Sequence, residues 1–165
     1  MNSAGDICAI TNPTVNSYKR INAPVTLSGA TWSPNTVTYA GNNRTHMIRI
    51  PGGGRFEFRL ADGAANPYLL PAAILAAGLD GIARNIDPGK PLDIDMYAEG
   101  HKAPPGTKKL PLNLLDALRV TEKSELLRRE LGDEFVNSYV KLKMREWNDY
   151  TGHLSSWERA ATLDC

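Results

Sequence analysis

The sequence predicts an α+β fold, with antiparallel β-strands in the first part of the chain and helices in the second. One observation is a period of two in Arg55-Phe56-Glu57-Phe58-Arg59-Leu60, where charged residues take the odd positions and apolar ones the even. Another is the β-prone segment before it, Ile48-Arg49-Ile50, joined to it by Pro51-Gly52-Gly53-Gly54, a connection suited to a hairpin. The last is an apolar stripe at Phe135, Val136, Tyr139, Val140, Leu142 and Trp147. Its spacing is that of an amphipathic helix from Asp133 to about Tyr150.

Taken in order, residues 1–21 read as a lead-in followed by loop chemistry, because Asn12-Pro13 precedes Thr14, Asn16 and Ser17. Short strands are predicted at Val25-Thr26-Leu27 and Thr36-Val37-Thr38-Tyr39, and Ala40-Gly41-Asn42-Asn43 is a strong turn signal. The hairpin follows. Asp62-Gly63 turns the chain, and Asn66-Pro67 starts a helix as cap and first-turn proline, with Pro71 able to shift that start forward. The body from Ala72 to Ala83 is small and apolar on most sides, which predicts a helix covered by other protein surface. Residues 84–109 read as a long loop broken by Pro88-Gly89, Pro91, Gly100 and Pro104-Pro105-Gly106. Helices return at Leu112 to Arg119 and at Glu122 to Leu131, the latter stopped by Gly132. Ser155-Ser156-Trp157-Glu158 has capping-box spacing for a last short helix.

Composition narrows the function classes. At 165 residues, with 42% apolar and 22% charged residues, the chain is long enough for one ordinary core and too apolar to be largely disordered. A net charge of +1 gives no warrant for nucleic-acid binding, and no aromatic platform alternates with basic residues. The stretch around Leu69 to Leu79 is broken by Pro71 and Gly78 and is too short to span a bilayer, so no membrane partner is expected. Cys8 and Cys165 belong to no C-x-x-C pair, a usage that suits a reducing cytoplasm. His46, His101 and His153 stand apart from one another and from any cysteine, and are read as ordinary surface or packing residues, not metal ligands.

The chemistry concentrates between Asn43 and Asp62, where Arg44, Arg49, Arg55 and Arg59 surround one acid, Glu57. If the two segments pair, their polar faces merge into a cationic surface with a carboxylate in it, suited to a polyphosphate–metal complex. Pattern alone favours a plainer outcome, the solvated face of a half-buried sheet. The glycines match neither a P-loop nor a dinucleotide fingerprint. Two or three strands are also too few for an independent sheet with a polar functional face.

Five ordered blocks change that balance. Asn12-Pro13-Thr14-Val15-Asn16-Ser17-Tyr18-Lys19-Arg20, Asn43-Arg44 to Ile48-Arg49-Ile50-Pro51, Arg55 to Arg59, Asp62-Gly63-Ala64-Ala65-Asn66-Pro67-Tyr68-Leu69, and Ala76 to Ile82 together resemble the C-terminal catalytic region of glutamine synthetases. The likeness is dense from about Thr11 to Ile82 and thins beyond. It implies an antiparallel-strand portion of that catalytic domain followed by helices, strand-rich over 1–62 and helix-rich over 63–165. The first part of the domain and a small N-terminal domain would lie upstream. The implied activity is an ATP-dependent glutamate–amine ligase that forms γ-glutamyl phosphate and lets an amine displace it. By the same resemblance, Glu57 ligates Mg²⁺ or Mn²⁺, and Arg20 and Arg59 hold glutamate. Arg44, Arg49 and Arg55 meet ATP phosphates or the transferred phosphoryl group, with Arg59 and Arg44 acting in catalysis. Partners implied are glutamate, ATP, ammonia or a small alkylamine, and identical subunits in a ring.

Two departures qualify the likeness. Arg20 is followed at once by Ile21-Asn22-Ala23-Pro24-Val25, so Asn22 stands where many glutamine synthetases carry a glutamate that helps deprotonate ammonium. Asparagine cannot serve as a general base near neutral pH, which turns the expectation towards members that use alkylamines such as methylamine. One carboxylate also cannot hold two or three hard cations, so the chain is expected to be inactive by itself. The rival expectation is a binding or regulatory module that assembles with full-length subunits or holds a nucleotide without turnover.

Overall fold

The structure, a computed structural model, describes residues 1–23 and 33–162. Its α+β character is as predicted: a small three-stranded sheet set against helices. The strand expected at Val25-Thr26-Leu27 lies outside the described residues.

Two helices open the chain where loop chemistry is predicted. α1 (Cys8–Thr11) is buried throughout, and α2 (Val15–Ile21) begins at a reciprocal cap between Thr14 and Ser17. The Thr-x-x-Ser spacing that reads as loop is therefore a helix start. Lys19 and Arg20 occupy the last turn of α2, where cations oppose the negative end of the helix dipole.

The sheet consists of β1 (Tyr39–Ala40), β2 (Ile48–Gly52) and β3 (Arg55–Phe58) in that order. β2 and β3 form the predicted antiparallel hairpin, with Ile48 opposite Phe58, Arg49 opposite Glu57 and Gly52 opposite Arg55. The register shifts between Arg49 and Gly52, so one extra residue is carried at Ile50-Pro51. A bulge tolerates a proline, which has no N–H for the ladder. The turn itself is Gly53-Gly54, with Gly54 at φ +80. β1 differs from expectation. It is shorter than Thr36 to Tyr39 and runs parallel to β2, making the sheet mixed, while Thr36 bridges instead to Lys109. Parallel neighbours usually need a long crossover. Here residues 41–47 suffice, because only Tyr39 and Ala40 pair.

The helical part follows the sequence signals closely. The Asn66 side chain accepts from the amides of Tyr68 and Leu69, but α3 (Leu69–Ala83) begins further on, with Tyr68 at its N-cap. Pro71 has no N–H to give the Pro67 carbonyl, so the start falls forward of Asn66-Pro67, as Pro71 allows, and Pro71 sits in the first turn, where its missing N–H breaks no helical bond. The predicted loop over 84–109 contains α4 (Met96–Glu99), capped by Asp95, and a 3₁₀ turn at Gly100–Lys102. α5 (Leu114–Glu122) is capped by Asn113 and α6 (Glu125–Leu131) by Ser124, and Gly132 at φ +89 separates α6 from α7 (Asp133–Thr151). At α8 (Ser156–Thr162) the Ser155 and Glu158 side chains cap each other's amides, as their spacing predicts.

The core sits where α1, α5, α6 and α7 meet, with Ile10, Leu114, Leu118, Leu127 and Val136 all but excluded from solvent. Met47 and Leu60 extend it to the sheet. α3 is not covered all round. It seats Ala73 and Ala76 on the core and leaves Leu75, Leu79 and Ile82 between 61% and 77% exposed. Buried Asp80 ties it to α6 by accepting from Arg129 at 2.7 Å.

Candidate functional site

The hairpin builds the site through its register. Arg49 stands opposite Glu57 on the neighbouring strand, and Arg59 follows Glu57 by two residues, so all three share one face. Arg49 Nη1 donates to Glu57 Oε2 at 2.6 Å, and Arg59 Nη1 donates to Glu57 Oε1. These bonds hold the Glu57 carboxyl below the usual carboxylate range, the Arg49 bond contributing most and the Arg59 bond next. The acid stays ionised between two guanidinium groups.

Each arginine of the pair has a further anchor. Arg49 Nε donates to Asn42 Oδ1 at 2.9 Å, and Nη2 donates to the same oxygen. Arg59 Nε donates to the Arg44 carbonyl at 2.7 Å. Arg20 reaches the same strand end from α2. Its Nη1 donates to the carbonyls of Leu60 and Ala61 at 3.3 and 3.2 Å, and its Nη2 to that of Arg59 at 3.3 Å. The side chains of Arg44 and Arg55 are exposed beside this clamp. The fold thus brings Arg20, Arg44, Arg49, Glu57 and Arg59 into one bonded network, with Arg55 at the hairpin's turn.

Three contributors had only weak sequence signals. Asn42, read as part of a turn, orients Arg49. Asn12 is completely buried; it donates Nδ2 to the Leu60 carbonyl at 3.0 Å and accepts from the Thr11 hydroxyl at 2.8 Å, pinning α1 to the end of β3. His46 is no surface residue. It is fully buried, with both ring nitrogens hydrogen-bonded.

Asn22 lies just after α2, and its Nδ2 donates to the Leu112 carbonyl at 2.7 Å. A primary amide held in that way offers no base.

Among the described residues, a cleft of about 930 Å³ runs along α7 past Val140, Leu142 and Met144, and none of the hairpin arginines lines it. An apolar cavity of about 90 Å³ lies behind the hairpin, between Phe56, Phe58 and Ile74.

A divalent metal does not fit the described residues by themselves. Among them no group of three or more His, Cys, Asp or Glu could hold one, and both Glu57 oxygens already accept from arginine. What the residues can do is bind anions. Guanidinium groups fixed by carbonyl and carboxylate partners are preorganised for phosphate or carboxylate oxygens.

Fold and site define an α+β domain whose hairpin gathers arginines around a single acid. The chain belongs to the glutamine synthetase family: the family model "Glutamine synthetase, catalytic domain" matches residues 1–162. It is 63% identical over 164 residues to a glutamine synthetase of Rhizobium leguminosarum bv. phaseoli, covering 99% of this chain and 38% of that protein. It is 44% identical over 160 residues to a glutamate–methylamine ligase of Methyloversatilis universalis, covering 96% of this chain and 36% of that one. A solved structure described as a GmaS/ADP complex superposes with a TM-score of 0.91 at 62% identity, over 99% of this chain and 37% of that one. The chain therefore spans a little over a third of the length of the relatives it matches.

Proposed function

We propose that this chain supplies the arginine face of the active site of an ATP-dependent glutamate–amine ligase. The observation that carries the reading is the Arg49–Glu57–Arg59 clamp on paired strands, in a chain of this family. In the reaction the terminal phosphoryl group of ATP passes to the side-chain carboxylate of glutamate, and ADP leaves. The amine nitrogen then attacks the acyl carbon, phosphate departs with the bonding pair, and the nitrogen loses a proton.

The work of these residues is positioning and charge neutralisation, the main demands of phosphoryl transfer. Arg59, with Arg20 behind the same strand end, orients glutamate and its acyl phosphate. Arg44, Arg49 and Arg55 draw charge from the phosphate oxygens. Glu57 holds the Arg49 and Arg59 guanidiniums in register. A contribution from Glu57 to a Mg²⁺ or Mn²⁺ centre requires one arginine to let go and further ligands from elsewhere.

The acceptor we propose is an alkylamine of the methylamine type rather than ammonium. What supports this reading is the likeness to a glutamate–methylamine ligase at 44% identity and to the GmaS/ADP structure at 62%, while Asn22, its amide tied to a backbone carbonyl, offers a base to neither amine. Initial rates with glutamate and ATP, using the intact polypeptide that carries this chain, test both statements. Amine-dependent phosphate release is expected, higher with methylamine than with ammonium, and reduced about 10²-fold or more in Arg59→Ala. Release that needs no glutamate, or an Arg59→Ala variant at the unmodified rate, would sink the ligase reading. A clear ammonium preference would sink the acceptor. The 165 residues alone are expected to release no phosphate above a Glu57→Ala control.

A further inference from the structure

Resting on that reading, we propose that His46, with Asn43 and Thr45, is a positioning element that sets the orientation of Arg59 through the backbone of Arg44. The residues 41–47 return the chain from β1 to a parallel β2 in an unusually short span. Such a return needs to be held from outside, and the segment 89–96 does it. Leu92 donates its amide to the Tyr39 carbonyl at 2.9 Å, and the Tyr39 hydroxyl donates to the Gly89 carbonyl at 2.6 Å. The Ile94 carbonyl then accepts from Asn43 Nδ2 at 2.9 Å and from His46 Nε2 at 2.9 Å. The Met96 amide donates to Thr45 Oγ1 at 2.9 Å, and that hydroxyl donates to Asn43 Oδ1 at 2.7 Å.

A carbonyl can only accept, so His46 carries its proton on Nε2, and in the neutral ring Nδ1 accepts from the Thr38 hydroxyl at 3.0 Å. The ring is wholly buried and spans β1's approach and segment 94–96. Arg44 sits inside this network, between Asn43 and Thr45, and its carbonyl is the acceptor for Arg59 Nε at 2.7 Å. Arg59 is thus aimed by two fixed acceptors, the Glu57 carboxylate and the Arg44 carbonyl. Loosening residues 43–46 moves one of them. His46 does not touch the reacting groups in this scheme; it acts through Arg44.

The test uses the intact polypeptide with His46→Ala, His46→Gln and Thr45→Val. It reads kcat, the KM for glutamate, the thermal midpoint, and the Arg59 Nε–Hε resonance in a proton–nitrogen correlation spectrum, assigned by its loss in Arg59→Lys. Glutamine places an amide N–H near the position of histidine Nε2, so it can restore the bond to Ile94. His46→Ala is expected to lower kcat/KM for glutamate about tenfold or more and to shift the Arg59 resonance. His46→Gln is expected to return activity to within about threefold and to restore the resonance. If His46→Ala fails to fold, Thr45→Val is read by the same two measurements, with the same expected losses. A folded His46→Ala or Thr45→Val with unchanged kcat, KM and Arg59 resonance overturns the proposal. So does a His46→Gln variant as impaired as His46→Ala. If the unmodified protein shows no glutamate-dependent turnover, the ligase reading fails, and the Arg59 resonance alone still decides this inference.

Discussion

Replacing Asn12 by alanine tests how α1 holds the strand end that carries Arg59. The side chain is completely buried and makes two hydrogen bonds, one to the Leu60 carbonyl at 3.0 Å and one from the Thr11 hydroxyl at 2.8 Å. Neither partner is orphaned outright. The Leu60 carbonyl keeps Arg20 at 3.3 Å, and the Thr11 hydroxyl keeps the Cys8 carbonyl at 3.3 Å. The loss therefore approaches two net hydrogen bonds plus a small void, about 2–4 kcal/mol, rather than the full penalty of two unsatisfied buried groups. For a chain of 165 residues this corresponds to a fall in thermal midpoint of roughly 4–16 °C. Circular dichroism melting is the assay, with urea unfolding to confirm the free energy. Arg20→Met in the same background supplies a cycle, since methionine keeps an unbranched stem and offers no donor. The Leu60 carbonyl then loses both donors, so the double variant is expected to be worse than the sum of the singles by about 0.5–2 kcal/mol. A single-variant loss below about 0.5 kcal/mol, or strict additivity with Arg20→Met, refutes the reasoning that these two side chains share one strand end.

Other outcomes follow from the same structure. Glu57 has its folded-state pKa lowered by Arg49 and Arg59, so its stabilising contribution is present above the unfolded value and is lost as pH falls through the folded one. Melting between about pH 7 and pH 2 should show the stability gap between the unmodified protein and Glu57→Gln closing on the acid side, and a gap that widens there contradicts the assignment. The Cys8 thiol is pushed up to about 12 by burial, the Tyr18 hydroxyl bond opposing only in part. Alkylation near pH 8, followed by peptide mass mapping, should leave Cys8 unmodified until denaturant is added; rapid native labelling would show that α1 opens.

Local signals were legible wherever a residue's partner lies within a turn or across a hairpin. The Ser155 and Glu158 box, the stop at Gly132 and the alternation in β3 all have partners within a few positions, and all form as their spacing predicts. α1 carried no such signal. Cys8, Ala9 and Thr11 are helical because α5 and α3 bury them, an influence from elements far along the chain. α3 is a different case. Its composition reads as covered by other protein surface, and within this chain Ala73 and Ala76 are buried and Ile74 and Ala77 pack against the core, while Leu75, Leu79 and Ile82 are exposed. Small apolar side chains allow close helix packing, and periodicity does not say which face will be used.

For the candidate site, the linear order of residues was enough to point to the arginines and the acid that the hairpin brings together, since alternation assigns faces, and the five blocks point to the family that the chain belongs to. It could not say that Glu57 would be shared by Arg49 and Arg59, that Arg59 would lean on the Arg44 carbonyl, or that Asn12 and Arg20 would meet at Leu60. Nor could it distinguish His46 from an ordinary lone histidine. These are hydrogen bonds between groups up to 48 positions apart, and their geometry depends on strand register and on where segment 89–96 packs. Chain-local chemistry chooses the residues; only the folded backbone, by presenting its carbonyls at fixed points, decides how the guanidinium groups are aimed.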